Sequence, residues 1–293
     1  MTTELKQKHS AFQPLSLGVG FGSSVPQGWL SLLTQPVLII VGLTGVGKST
    51  VISNLMEERL DLSLLPNRRI LTDEIIIPQM AENEQNLSYF CRVQRFNYTR
   101  QYRQFFSGGM AHVLSQIWIN PQQLQTQLIF DGLRGKDEVN YALKAFTEAN
   151  FIVLDAPNKV RLQRILKRND AFDSVNTINS NSQNQSVDLD KLTSFAALGI
   201  SEASSVFNSA EEQEILGWVR QGSVTLKELE QKLKIVVLEQ QNYDAVSTRL
   251  TLEKMARERT LVIDTTVYNP QQAASQILSY LKVRQPMECL SVS

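Results

Sequence analysis

Five apolar residues, Val37-Leu38-Ile39-Ile40-Val41, run straight into Gly42-Leu43-Thr44-Gly45-Val46-Gly47-Lys48-Ser49. The second segment satisfies G-x-x-x-x-G-K-[ST], with a strand-like run before it and a helix-like stretch after it. This junction leaves few folds open. The apolar run suits a parallel strand buried on both faces. The glycines let the backbone curl so that successive N–H groups point at one anion, and the N-terminus of the next helix adds positive potential. Gly42, Thr44, Gly45, Val46, Gly47, Lys48, Ser49 and Thr50 are therefore expected to cradle the phosphates of a nucleoside triphosphate. In such loops the lysine holds the β- and γ-phosphates and the hydroxyl sits on magnesium, which gives Lys48 and Ser49 those roles. ATP or another NTP, with Mg2+, is the expected ligand pair. The alternative, a tight strand–helix turn without ligand, is disfavoured by three glycines followed by Lys-Ser.

Downstream, apolar runs alternate with helical stretches. Arg69-Ile70-Leu71-Thr72 reads as a second strand ending at Asp73-Glu74, and Leu128-Ile129-Phe130 as a third ending at Asp131. Phe151–Leu154 reads as a fourth strand before Asp155, and Leu261-Val262-Ile263-Asp264 as a fifth. Helices are expected at about 48–60, 110–119 and 158–168, behind Asp137 and Glu138, and from Pro270 onward. Alternation of this kind means βαβ crossovers. The expected fold class is α/β: a P-loop NTPase three-layer sandwich with a mainly parallel sheet of about five strands and an inserted helical subdomain. Residues 1–34, interrupted by Pro14, Gly18, Gly20, Gly22 and Pro26, read as an irregular lead-in. Residues 35–170 with 259–293 read as the core. Residues 171–258 read as a helical insertion with a polar low-complexity linker at 174–186. The second of its three expected helices opens with the capping pair Thr225 and Glu228 ahead of Leu226, Leu229 and Leu233.

Asp131 ends the third strand, where a P-loop fold places a magnesium carboxylate, so Ser49 and Asp131 form the expected metal site. A strand-end aspartate that caps a turn is the alternative. Gly132 follows it, whereas ATPases that hydrolyse with water usually keep a second acid there. Lys+Arg and Asp+Glu both number 29, so no overall field attracts nucleic acid. The two cysteines, Cys91 and Cys289, have no CxxC spacing, which argues against a disulfide framework or a zinc site and fits a cytoplasmic protein. The first residues have no apolar core behind basic ones, which speaks against a secretory signal. No apolar stretch is long enough to span a membrane.

The order of the P-loop, Asp131-Gly132-Leu133-Arg134 and the run Val153–Arg168 resembles nucleoside monophosphate kinases and dephospho-coenzyme A kinases. The segment FDGLRGKDEV is similar to archaeal dephospho-coenzyme A kinase-like and adenylate kinase-related proteins. By that resemblance Arg134 touches the transferred or acceptor phosphate. Arg161, Arg164 and Arg168 fall where such kinases keep the lid arginines that clamp ATP, and Ile263–Thr266 falls near the adenine. The resemblance covers about residues 36–170 and 258–283. It departs between Arg168 and Thr260, where about ninety residues replace a short lid.

Arg92, Arg95, Arg100 and Arg103 are interleaved with Tyr89, Phe90, Phe96, Tyr98 and Tyr102 between the second and third strands, where the resembling kinases bind their acceptor. Arg100 and Arg103, three apart, share a helix face and are expected to bind an acceptor phosphate. An ordinary amphipathic helix is the alternative. Asp73 lies close to where such kinases keep a carboxylate that orients the acceptor or takes its proton. Lys48, Asp73, Asp131, Arg134, Arg164 and Arg168 are thus the expected catalytic set. The expected function is transfer of the γ-phosphoryl group to an unidentified small phosphate- or hydroxyl-bearing acceptor. A nucleotide-gated regulatory ATPase whose insertion binds a partner protein stays open. An AAA-type motor is disfavoured by the missing second acid, and a polynucleotide kinase by the balanced charge.

Overall fold

The computed structural model describes residues 11–59, 61–81, 91–168 and 193–284. The lead-in carries β1 (Gln13–Ser16), β2 (Val19–Phe21) and β3 (Leu30–Ser31), and then β4 (Val37–Val41) enters the P-loop. Helix α1 (Lys48–Glu58) follows, with β5 (Leu62–Leu64) after it. A helical stretch is built from α2 (Arg68–Leu71), a π turn (Thr72–Ile76) and α3 (Ile77–Met80). Next come α4 (Arg92–Phe105), α5 (Gly109–Leu114), β6 (Ile117–Ile119), β7 (Gln127–Leu133), α6 (Lys136–Ala145), β8 (Asn150–Asp155) and α7 (Asn158–Leu166). The later part holds α8 (Ser209–Arg220), α9 (Leu226–Asn242), α10 (Ala245–Met255), β9 (Thr260–Asp264) and α11 (Pro270–Arg284).

The main sheet has the order β5-β7-β4-β8-β9, and every pairing in it is parallel. The strand feeding the P-loop is therefore central, fully buried along its length, with β7 and β8 on its flanks. Its side chains alternate between two layers, as the two-residue period of a strand requires. Leu38 and Ile40 pack with α1 and α11 through Ile52, Leu55, Ile277 and Leu281. Val37, Ile39 and Val41 face the opposite core with Met110, Val139 and Leu252. This is the three-layer P-loop NTPase sandwich expected from the sequence.

Three local expectations differ from the structure. The second strand is Leu62–Leu64, and Arg69–Thr72 is helical. Asn67 decides this: its side chain accepts the backbone N–H of Arg69 and Ile70, an N-cap that starts a helix. Leu71 and Ile75 are then buried one turn apart. The lead-in is also more regular than its glycines suggest. β1, β2, β6 and β3 form a four-stranded sheet whose pairings are all antiparallel, so Ile117–Ile119 ends as a strand and the helix before it stops at Leu114. Gly18, at φ +68°, turns the chain between β1 and β2, so one of the apparent breakers is the hinge of a hairpin.

The linker at 174–186 lies outside the described residues, as do Tyr89, Phe90, His9 and Cys289. Beyond it, α8 and α9 pack against α7 around Leu162, Ile165, Leu216, Leu233 and Val236. The capping box at Thr225 and Glu228 is formed. Helix α10 instead joins the main core through Leu252. Among the described residues no helix is long and apolar enough to cross a membrane. Leu233 is fully buried between α9 and its neighbours. Leu233→Ala is therefore expected to cost about 2–5 kcal/mol in urea unfolding, which checks how firmly α9 is seated.

Candidate functional site

The P-loop is shaped by its glycines. Gly45 and Gly47 have φ of +87° and +96°, and Gly47 is the N-cap from which α1 departs. A β-carbon on Gly45 would lie 2.7 Å from the Arg161 carbonyl oxygen, so no larger residue fits between the loop and α7. Lys48 Nζ donates to the carbonyl oxygens of Gly42 (2.9 Å) and Leu43 (3.1 Å) and stands 3.8 Å from Asp131 Oδ1. Burial pulls its ammonium below the ordinary lysine value, and Asp131 opposes that pull.

Asp131 lies within β7 beside the loop, and its Oδ1 is a buried acceptor without a hydrogen-bond donor among the described residues. Ser49 is exposed at the start of α1, and both residues line the same cavity. Among the described residues no three His, Cys, Asp or Glu side chains gather into a metal cage. A cation here would take one carboxylate, one hydroxyl, phosphate oxygens and water, the donor set that suits magnesium. The residues fit that ion.

A cavity of about 900 Å³ runs from the P-loop to α4. At one end lie Thr44, Gly45, Gly47, Lys48, Ser49 and Thr50, with Arg164, Arg168, Thr265 and Tyr268. At the other lie Asn67, Arg68, Thr72, Arg92, Arg95, Phe96, Thr99 and Tyr243, and Arg134 is also in its wall. Among the described residues nine cationic side chains line it: Lys48, Arg68, Arg69, Arg92, Arg95, Arg134, Arg164, Lys167 and Arg168. Asp131 is the one lining carboxylate among the described residues. The acids that offset these cations stand behind the wall. Asp73 holds Arg95 at 2.7 and 2.8 Å, and Glu138 holds Arg68 at 2.7 and 2.9 Å. Glu239 of α9 takes Arg92 at 3.2 Å and Arg134 at 2.7 Å.

Several expected residues converge. The expected P-loop residues except Gly42 and Val46, together with Asp131, Arg134, Arg164 and Arg168, share the cavity; Gly42 stands behind it with its carbonyl on Lys48, and Val46 is packed in the core behind the loop. Arg164 is fixed by Thr265, which takes Nη1 on its hydroxyl (2.8 Å) and Nη2 on its carbonyl (2.7 Å). Other expected residues go elsewhere. Asp73 sits in the π turn, paired with Arg95, and is not part of the lining. Arg100 is exposed, and Arg103 turns to Asn242 and stacks over Tyr243 at 4.9 Å. The cavity face of α4 is one turn earlier, at Arg92, Arg95, Phe96 and Thr99. Arg161, grouped with the lid arginines, is buried and bonds to the Thr44 carbonyl (2.9 Å), Asn158 and Glu239.

The residues that escaped the sequence reading are Glu239, Tyr243, Arg68 and Glu138 in its pairing role. Tyr243 follows the last turn of α9, and its hydroxyl takes Arg68 at 2.7 Å. One signal was present for Glu239: it lies three residues after Val236 on the buried stripe of Leu229, Leu233 and Val236. An acid in the phase of a core stripe has to be paired.

A family model described as an AAA domain matches residues 38–187, just over half of the chain. The chain belongs to that family. It is a P-loop kinase-like family, so the resemblance read from the sequence stands at that level. None of the curated proteins matches the chain. Similar solved structures include an unliganded sugar kinase from Janibacter sp. HTCC2649, at 12% identity and TM-score 0.37, covering 85% of this chain and 95% of that one. Shikimate kinase from Acinetobacter baumannii in complex with shikimate is 14% identical with TM-score 0.35, covering 86% of this chain and 96% of that one. A sulfotransferase from Alicyclobacillus acidocaldarius is 14% identical with TM-score 0.36, covering 85% and 81%. These are likenesses of fold alone.

The Arg68–Glu138 pair predicts an acid-side weakness. Burial by itself would raise the Glu138 carboxyl, but the charge and hydrogen bonds of Arg68 outweigh it and hold the group below its ordinary 4.5. The unfolded chain therefore takes up the proton first on acidification. The stabilisation is fully present above pH 4.5 and is lost as pH falls through the folded value. Urea midpoints of the parent chain should drop as pH goes from about 6 to about 3, and Glu138→Gln should flatten part of that drop.

Proposed function

We propose that this chain is a cytoplasmic, magnesium-dependent kinase that moves the γ-phosphoryl group of ATP to a small acceptor bearing an anionic group. One observation carries the reading. A single cavity joins the P-loop to the α4 arginines, and among the described residues its charged lining is cationic but for Asp131. A triphosphate accounts for the P-loop end. Arg68, Arg92 and Arg95 at the far end call for a second anion, and Phe96 and Tyr243 there offer flat apolar surface for a ring.

In this reading the work is positioning and electrostatics. Lys48 leaves its two loop carbonyls to meet the β- and γ-phosphates. Magnesium, when bound by Ser49 and Asp131, neutralises charge on the same phosphates. Arg134 and Arg164 bracket the loop and stabilise the charge that builds on the moving group. An acceptor oxygen bonds to the γ-phosphorus as its bond to the bridging oxygen breaks, and ADP leaves. Asp73 is already held by Arg95 outside the lining, which favours a phosphate oxygen as acceptor because it needs no base. Gly132, standing where a second acid would orient a water, fits transfer better than hydrolysis.

A second reading has its own support. Glu239 reaches Thr44 of the P-loop from α9, so a nucleotide there could report its presence to residues 193–255, as a gated regulator would need. Turnover separates the two. ADP formation is to be measured with MgATP against nucleoside monophosphates, dephospho-coenzyme A and small hydroxyl compounds. The kinase reading expects one acceptor to raise the rate, and Lys48→Ala to lower it by on the order of a hundredfold or more. A slow rate indifferent to every acceptor would favour the regulator, and full activity in Lys48→Ala would end the kinase reading.

A further inference from the structure

Glu239 has no exposed surface, yet among the described residues five donors from four parts of the chain end on it. Thr44 gives its backbone N–H (2.9 Å) and its hydroxyl (2.5 Å). Arg134 Nη1 lies at 2.7 Å, Arg161 Nη2 at 2.6 Å and Arg92 Nη2 at 3.2 Å. Arg92 also donates to the Thr44 hydroxyl at 2.7 Å, which closes the network. An ionised carboxylate has about four lone-pair sites, so these donors saturate it. Burial opposes its charge, but Arg134, Arg161 and Arg92 hold it well below the usual carboxylate range.

Glu239 itself does not line the cavity, whereas Thr44, Arg92 and Arg134 do. It therefore reaches reacting groups only through them. Three guanidinium groups that converge on one point repel one another, and this carboxylate is what lets them stand together. Its support is also rigid. Below it on α9, Leu233 and Val236 are buried against α7, and at the helix end Tyr243 is stacked by Arg68 and Arg103.

We propose that Glu239 is a positioning residue for phosphoryl transfer, holding Arg134 and Arg92 from behind at the junction of the phosphate loop and the acceptor end. This rests on the phosphotransfer reading above. It makes α9 part of the reaction site, although the helix lies far along the chain from the P-loop. Groups aimed in advance need no reorganisation as charge develops, so the contribution falls on turnover. Binding should respond in the opposite sense. Removing the negative charge leaves the wall more positive and attracts the triphosphate more strongly, while the arginines lose their aim.

The test uses the full chain as parent, Glu239→Gln, Glu239→Asp and Lys48→Ala, each checked for folding by circular dichroism and thermal melting. A fluorescent ATP analogue with magnesium gives affinity, and ADP formation at saturating MgATP gives kcat. The expected result for Glu239→Gln is unchanged or up to about threefold tighter binding with kcat at least about tenfold lower. Loss of fold alone would not tighten binding while slowing turnover. A folded Glu239→Gln protein with unchanged kcat overturns the proposal, and so does a parallel loss of affinity and kcat. If Glu239→Gln does not fold, Glu239→Asp decides: it keeps the charge but withdraws it by one carbon. A lower kcat at unchanged affinity then supports the proposal, and parental kcat overturns it. Absence of nucleotide binding in the parent, or turnover indifferent to Lys48→Ala, removes the phosphotransfer reading instead, and is told apart because it involves no Glu239 variant.

Discussion

The loop that follows β4 is held from two sides by unlike forces, and the rest of the site depends on that balance. From below, the fully buried strand Val37–Val41 fixes where the loop starts, between β7 and β8. From the side, the carboxylate of Glu239 binds Thr44 and gathers the arginines of α4, α7 and the turn after β7. A buried charge of this kind is costly unless its partners are well placed, and taking one partner away leaves the others uncompensated. The network thus joins the loop to helices far apart in sequence, and it does so through charge where most of the fold relies on apolar packing.

The same logic repeats around the cavity wall. Each acid in the second layer holds a lining arginine in place: Asp73 for Arg95, Glu138 for Arg68, Glu239 for Arg92 and Arg134. Glu138 also accepts the backbone N–H of Arg134, so two of these pairs share a support. The consequence is a wall whose cations are oriented before any anion arrives. Asp131 is the exception. Among the described residues its Oδ1 is buried without a donor beside Lys48, a poor arrangement for a bare carboxylate and a good one for a cation site. On the proposed reading these two features divide the work: the oriented cations meet phosphate, and Asp131 takes the magnesium ion.

Much of this was legible in the sequence where the signal was local. The P-loop, the strands around Leu128–Phe130, Phe151–Leu154 and Leu261–Asp264, and the parallel sheet follow from short apolar runs and glycine spacing. Arg69–Thr72 misled because a short apolar run has no visible period, and the deciding residue was the Asn67 cap before it. The antiparallel sheet of the lead-in was hidden for another reason. Its partners β2 and β6 are about a hundred residues apart, and neither is stable as a strand without the other. Arg100 and Arg103 were placed on one helix face by spacing, but spacing does not say which face meets the cavity. That depended on Asn242 and Tyr243, which arrive from α9 and draw Arg103 away. Glu239 was the hardest to see, since its partners come from every other part of the site.

The central claim is that the P-loop, Asp131 and the cationic wall form one magnesium–triphosphate site. Calorimetric titration of the full chain with ATP, in magnesium and again in a chelator, tests it most directly. One saturable site per chain is expected, with affinity that falls when magnesium is withdrawn and loses that magnesium dependence in Asp131→Asn. No saturable heat with MgATP, or a magnesium dependence that survives intact in Asp131→Asn, would contradict it.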